Sequence, residues 1–140
     1  MTPAAPLPSL DRVREAAQQL GAELGARLIV LFGSAARAHA APADLDLGIL
    51  ADGPLDAVAV TNRLIQALGT QEIDVTDLRR ADPLLLALAA RDGIPLYEAH
   101  PGAFAAFASL AARRFADTRK FRDAEHRELW DFITATGGGR

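Results

Sequence analysis

The run Arg27–Phe32, RLIVLF, constrains the fold more than any other part of the chain. It is apolar and partly β-branched, and Gly25 and Gly33 bound it on either side. Such a run is too short for a helix and reads as a buried strand. A buried strand needs apolar partners, and half of the 140 residues are apolar. A chain of that size can remove roughly two-thirds of its unfolded surface from water. One domain is the expected size class.

Patterns around this run supply the rest. Ser9 is placed to cap a helix in which Leu10, Val13, Ala17, Leu20 and Leu24 keep helical spacing, with Gly25 as its stop. Gly33-Ser34 breaks the strand, and a short helical turn toward Arg37 follows. His39–Ala43 reads as a loop and Leu45–Leu50 as a second strand. Leu55–Leu68 has helical spacing and ends at Gly69, and Glu72–Leu78 reads as a third strand. Asp82-Pro83 opens a helix over Leu84–Arg91, because Asp caps and Pro suits the first helical position. Ile94–Glu98 fits a short edge strand, and Gly102–Thr134 reads as mostly helical with a break near Thr118. The order predicts a small α/β (α+β) domain, a mixed sheet flanked by helices, with the strands' C-terminal ends near Gly33, Asp44 and Asp74.

Composition excludes several classes. There are no cysteines, which rules out a disulfide scaffold and a cysteine-ligated zinc site and fits a reducing, cytoplasmic setting. No window approaches the ~20 apolar residues of a membrane span, and the N-terminus does not read as a secretory signal. A net charge of −3 does not suggest a nucleic-acid coat, so no direct nucleic-acid partner is expected. The basic excess lies in the C-terminal segment, at Arg113, Arg114, Arg119, Lys120 and Arg122. Its plain reading is the solvated face of a helix; the alternative is a docking surface for an acidic partner. Exposed apolar residues on the same segment would favour homo- or hetero-oligomers.

The chemistry is carried by three carboxylates. Asp44 and Asp46 are two apart at the start of a strand, so their side chains share a face with Cα atoms roughly 6.5–7 Å apart. Like charges so placed repel unless a cation lies between them, and clustered carboxylates beside phosphate oxygens are a usual Mg²⁺ setting. Asp74, between Ile73 and Val75, stands beside them if the strands pair in parallel or mixed fashion. The bland alternatives are a turn cap for Asp44 and a surface charge on an edge strand for Asp74. Asp77 falls on the opposite face. Gly33-Ser34, after a buried strand, permits close backbone approach to a phosphate, and Arg37 lies one turn later.

LFGSAAR, then DLDL, then IDV, resembles the polymerase-beta-type nucleotidyltransferase superfamily. More narrowly it resembles the minimal nucleotidyltransferases, the MntA-like antitoxins that accompany a HEPN-domain toxin (HepT). The resemblance covers about Leu10 to Glu98. It implies a nucleotidyltransferase core over 9–98 and a C-terminal helical segment over 101–134 within a single domain of 1–140. It also implies that Gly33, Ser34 and Arg37 bind the triphosphate of ATP and that Asp44, Asp46 and Asp74 are catalytic and bind two Mg²⁺ ions. The implied reaction is attack on the α-phosphorus of ATP by a tyrosine hydroxyl of the toxin, an RNase that AMP addition silences. Two alternatives are an antitoxin that acts by binding alone and a stand-alone enzyme for a small molecule such as an aminoglycoside. The chain departs from the family pattern in its loop: nine residues, not ten, separate Ser34 from Asp44, and Ala38 and Ala43 replace the usual Gly and Ser.

Among other residues, His39, His100 and His126 lack metal-ligand spacing and read as surface residues. Tyr97, the sole tyrosine, is expected at the sheet edge, with self-modification as an alternative. Phe104, Phe107 and Phe115 read as core or interface.

Overall fold

The computed structural model describes residues 7–36 and 44–119. Helix α1 (Leu10–Leu24) starts at Ser9, whose side chain accepts the Arg12 N–H at 3.3 Å. It stops at Gly25, which takes the left-handed conformation that lacks a penalty only for glycine. Strand β1 (Leu28–Phe32) follows, then the 3-10 turn Gly33–Ala36, and then β2 (Leu45–Leu50). Helix α2 (Ala57–Leu68), β3 (Ile73–Asp77), α3 (Pro83–Asp92), β4 (Ile94–Glu98) and α4 (Ala103–Asp117) complete the order.

The four strands form one mixed sheet in the order β3-β2-β1-β4. β1 runs antiparallel to both β2 and β4, whereas β2 and β3 are parallel. The parallel pair is joined through α2, as a crossover connection requires. β4 is an edge strand, as expected; its register to β1 shifts between Ile29 and Val30, where Pro95 stands opposite Val30.

β1 is buried on both faces because helices cover both. Ile29 and Leu31 join Leu45, Leu47 and Ile49 against Val13, Ala17 and Leu20 of α1 and Val60, Leu64 and Leu68 of α2. Leu28, Val30 and Phe32 face the other way, with Leu86 and Ala89 of α3 and Phe107 and Ala111 of α4. The ends of β3 and β4 place the starts of α3 and α4 at the same end of the sheet, the one away from Asp44.

Two expectations change. Helix α2 begins at Ala57, not Leu55, because the Asp56 side chain accepts the Ala59 N–H at 3.1 Å and caps it. Leu55 lies outside the helix and packs in the same cluster as Val60, the arrangement of a hydrophobic staple. The strand ends differ as well. Because β2 is antiparallel to β1, Asp44 and Asp74 lie at the starts of β2 and β3, beside the C-terminal end of β1 alone. Strands β1 and β3 are one or two residues shorter than the sequence predicts.

Tyr97 does sit at the sheet edge, packed on α1. A Cβ built at Gly21 would stand 2.6 Å from Tyr97 Cγ. Gly21→Ala is therefore expected to cost about 1–3 kcal/mol, the range for overpacking, read as a lower urea midpoint with an unchanged slope.

Candidate active site

Phe32, Asp46 and Asp74 form one row across the sheet. Phe32 pairs with Asp46 on the antiparallel side, and Asp46 pairs with Asp74 on the parallel side. Residues directly opposite each other share a face, so both carboxylates project on the α3/α4 side. Asp44 lies two residues before Asp46 and joins them. The Leu45 N–H donates to the Glu72 carbonyl at 2.8 Å and fixes the start of β2 against the start of β3. One carboxylate oxygen from each of Asp44, Asp46 and Asp74 can be chosen so that all lie within 4.8 Å of one another.

This closeness shows in the electrostatics. Burial first, then the charges of Asp44 and Asp74, push the Asp46 carboxyl up to about 6. Asp44 is also raised, by burial, by a hydrogen bond with Asp74, and by the charges of Asp74 and Glu72. Phe32 is the apolar neighbour of Asp46 in the cross-strand pair and is itself buried. The set suits a hard divalent cation: three oxygen donors converge, and no described arginine or lysine forms an ion pair with any of them.

Gly33 closes the site on the β1 side. Its φ is +72°, and a Cβ there would overlap the Asp46 carboxylate oxygen. The turn backbone thus lies directly on the carboxylate. Ser34 belongs to the 3-10 turn that Gly33 opens. Arg37, Ala38, His39 and Ala43 lie outside the described residues, as do Lys120, Phe121, Arg122 and His126. Four of the six predicted site residues, Gly33, Asp44, Asp46 and Asp74, thus meet at one end of the sheet, and Ser34 follows Gly33 in the chain. Sequence reasoning missed Phe32 as a neighbour of the carboxylates; its only signal is that it ends the apolar run.

Asp77 falls on the other face and accepts the Arg79 N–H at 3.0 Å, a turn contact. His100 is exposed, and its ring faces the Pro101 carbonyl at 3.2 Å. Arg113, Arg114 and Arg119 are exposed, whereas Phe107 is buried and Phe104 and Phe115 are partly so. No helix among the described residues is long and apolar enough to cross a membrane.

A small mixed sheet with three carboxylates around a glycine turn defines a nucleotidyl-transfer fold. The chain belongs to the polymerase beta nucleotidyltransferase family, whose profile matches residues 17–101. No curated protein sequence matches it. Solved structures share the fold at low identity. A toxin-antitoxin crystal structure with AMP-PNP superposes with a TM-score of 0.72 at 23% identity, covering 86% of this chain and 99% of that one. An MntA toxin-antitoxin mutant matches at 0.69 and 23%, covering 80% and 93%. A tri-AMPylated Shewanella oneidensis HEPN toxin in complex with MNT antitoxin matches at 0.64 and 22%, covering 84% and 98%.

Proposed function

We propose that this chain is a Mg²⁺-dependent protein adenylyltransferase, an antitoxin that transfers AMP from ATP to a tyrosine of a HEPN-domain RNase toxin. The observation that carries this reading is the convergence of Asp44, Asp46 and Asp74 against the Gly33 turn. The matched structures support it by what they contain: AMP-PNP in one and an AMPylated HEPN toxin in another. This chain spans nearly the full length of those matched chains.

In the proposed reaction the tyrosine oxygen attacks the α-phosphorus of ATP, an O–P bond forms, and the bond to the β-phosphate oxygen breaks. Pyrophosphate leaves, and Asp74 helps to take the tyrosine proton. Gly33 and Ser34 hold the triphosphate, with Arg37 as a further contact. Asp44, Asp46 and Asp74 would hold two Mg²⁺ ions, whose charge would stabilise the attacking and leaving oxygens.

The test is incubation with labelled ATP, Mg²⁺ and the HEPN protein encoded beside this one. Label is expected on the partner and is expected to vanish with Asp44→Asn/Asp46→Asn. One observation favours a second reading, an antitoxin that acts by binding: the loop after Ser34 is one residue short. Toxin neutralisation that persists unchanged in the double variant would select that reading. Transfer to an aminoglycoside without any partner would overturn both.

A further inference from the structure

A concavity lies at the sheet end opposite the carboxylates. It has a volume of about 220 Å³ and opens between the starts of β1 and α4 and the segment after β3. Leu28, Leu78 and Phe107, all buried, form its floor. Its mouth carries Arg27, Arg79, Arg114 and His100, drawn from four separate segments, with Leu110 40% exposed beside them.

The mouth is cationic even after its internal contacts are counted. Arg27 pairs with the Asp52 carboxylate, and Arg79 donates to the Asp52 main-chain carbonyl at 3.1 Å. Three arginines and no aspartate or glutamate line the cavity, in a chain whose net charge is −3. Of the acids around it, Glu98 accepts the Phe104 N–H at 2.9 Å at the start of α4, and Asp77 accepts the Arg79 main-chain N–H at 3.0 Å. Apolar walls with a cationic rim select one kind of ligand: an apolar body that ends in an anion. An apolar cavity of about 150 Å³ takes a benzene ring, so this one has room for roughly ten heavy atoms.

We propose that this cavity binds a small amphipathic carboxylate, a medium-chain or single-ring monoanion, with its apolar body on Leu28, Leu78 and Phe107 and its head at Arg114. The site shares no residue with the carboxylate cluster, so it stands independently of the proposed transferase activity.

The test is an amide NMR titration of the full chain with octanoate, with 1-octanol and acetate as separate probes. Octanoate is expected to bind saturably, with shifts centred on Leu28, Leu78 and Phe107, and more tightly than either octanol or acetate. Arg114→Gln, at an exposed position, is expected to weaken octanoate about three- to fivefold and leave octanol unchanged. Ala106→Trp, which narrows the mouth from the exposed side of α4, is expected to weaken both. Octanoate that fails to saturate, matches octanol in affinity, or shifts the outer groove of Leu84, Leu88 and Ala112 instead would overturn the proposal. So would an Arg114→Gln variant that binds octanoate as the native chain does.

Discussion

Asp46→Asn is expected to abolish nucleotidyl transfer while making the metal-free protein more stable. The two effects have one cause. Folding places the Asp46 carboxyl beside Asp44 and Asp74 and partly out of water, which raises it to about 6. A carboxyl raised in the folded state favours folding when protonated. That contribution is complete below about pH 4, the unfolded value, and is lost as pH rises through about 6. At neutral pH the charged group therefore opposes folding. Because Asp46 is only half-buried, the penalty is discounted for screening to about 1–2 kcal/mol. Asparagine keeps the shape and removes the charge, so the metal-free melting temperature should rise by about 3–6 °C. Mg²⁺ should raise the native melting temperature and leave the variant's nearly unchanged, as ligand linkage requires. A variant with lower metal-free stability at pH 7.5, or with transfer within about tenfold of native, would contradict the account; removal of a charge-stabilising group is ordinarily worth at least ~10²-fold.

Gly33→Ala is expected to lower transfer by about 10²-fold or more, through geometry. The left-handed backbone at Gly33 disfavours any side chain, and the added methyl would overlap the Asp46 oxygen. The turn or the carboxylate must shift, and either shift separates the turn from the proposed metal ligands. A single-turnover measurement with saturating ATP should show the loss in the chemical step. Gly25→Ala is the control. It has a similar φ of +62° and open space around it, so it should lose some stability and keep its rate.

A pH series on the metal-free protein gives a further check. Its stability should fall as pH rises between about 4 and 6 through the Asp46 contribution, the reverse of a salt-bridged carboxylate. Asp44 shifts in the same direction and adds to the trend. Asp46→Asn should flatten that limb.

Much of the architecture was legible in the sequence because punctuation marks it. Helix α1 runs from the residue after Ser9 to the residue before Gly25, and Asp82-Pro83 opens α3. Strand β2 has the predicted ends because glycine and proline flank it beyond Asp44 and Asp52. The start of α2 was misplaced because Leu55 looks helical by hydropathy but anchors the core from outside the helix. Strand direction was not encoded locally. The pairing of Asp46 with Asp74 depends on a parallel crossover, whereas that of Asp46 with Phe32 depends on antiparallel pairing of β1 and β2.

The carboxylates themselves were legible from DLD and from an acid within an apolar strand. The steric role of Gly33 was not, because the atom it avoids lies 13 positions further along the chain, on Asp46. The cationic mouth at the far end was equally hidden. Arg27, Arg79, His100 and Arg114 share no spacing and meet only when the sheet and α4 are in place.

Among the described residues the strand ladder has two open sides, and each is guarded differently. On the β4 side, Pro95 offers no N–H and the register slips beside it, so an incoming chain meets a broken template. On the β3 side, Asp74 and Asp77 set negative charges on alternate faces of the outermost strand. Like-charged copies of that strand repel rather than stack. Both edges thus disfavour pairing with a further strand. On one of them the protecting charge is also a proposed metal ligand, so occupying the site with a cation would neutralise part of that guard.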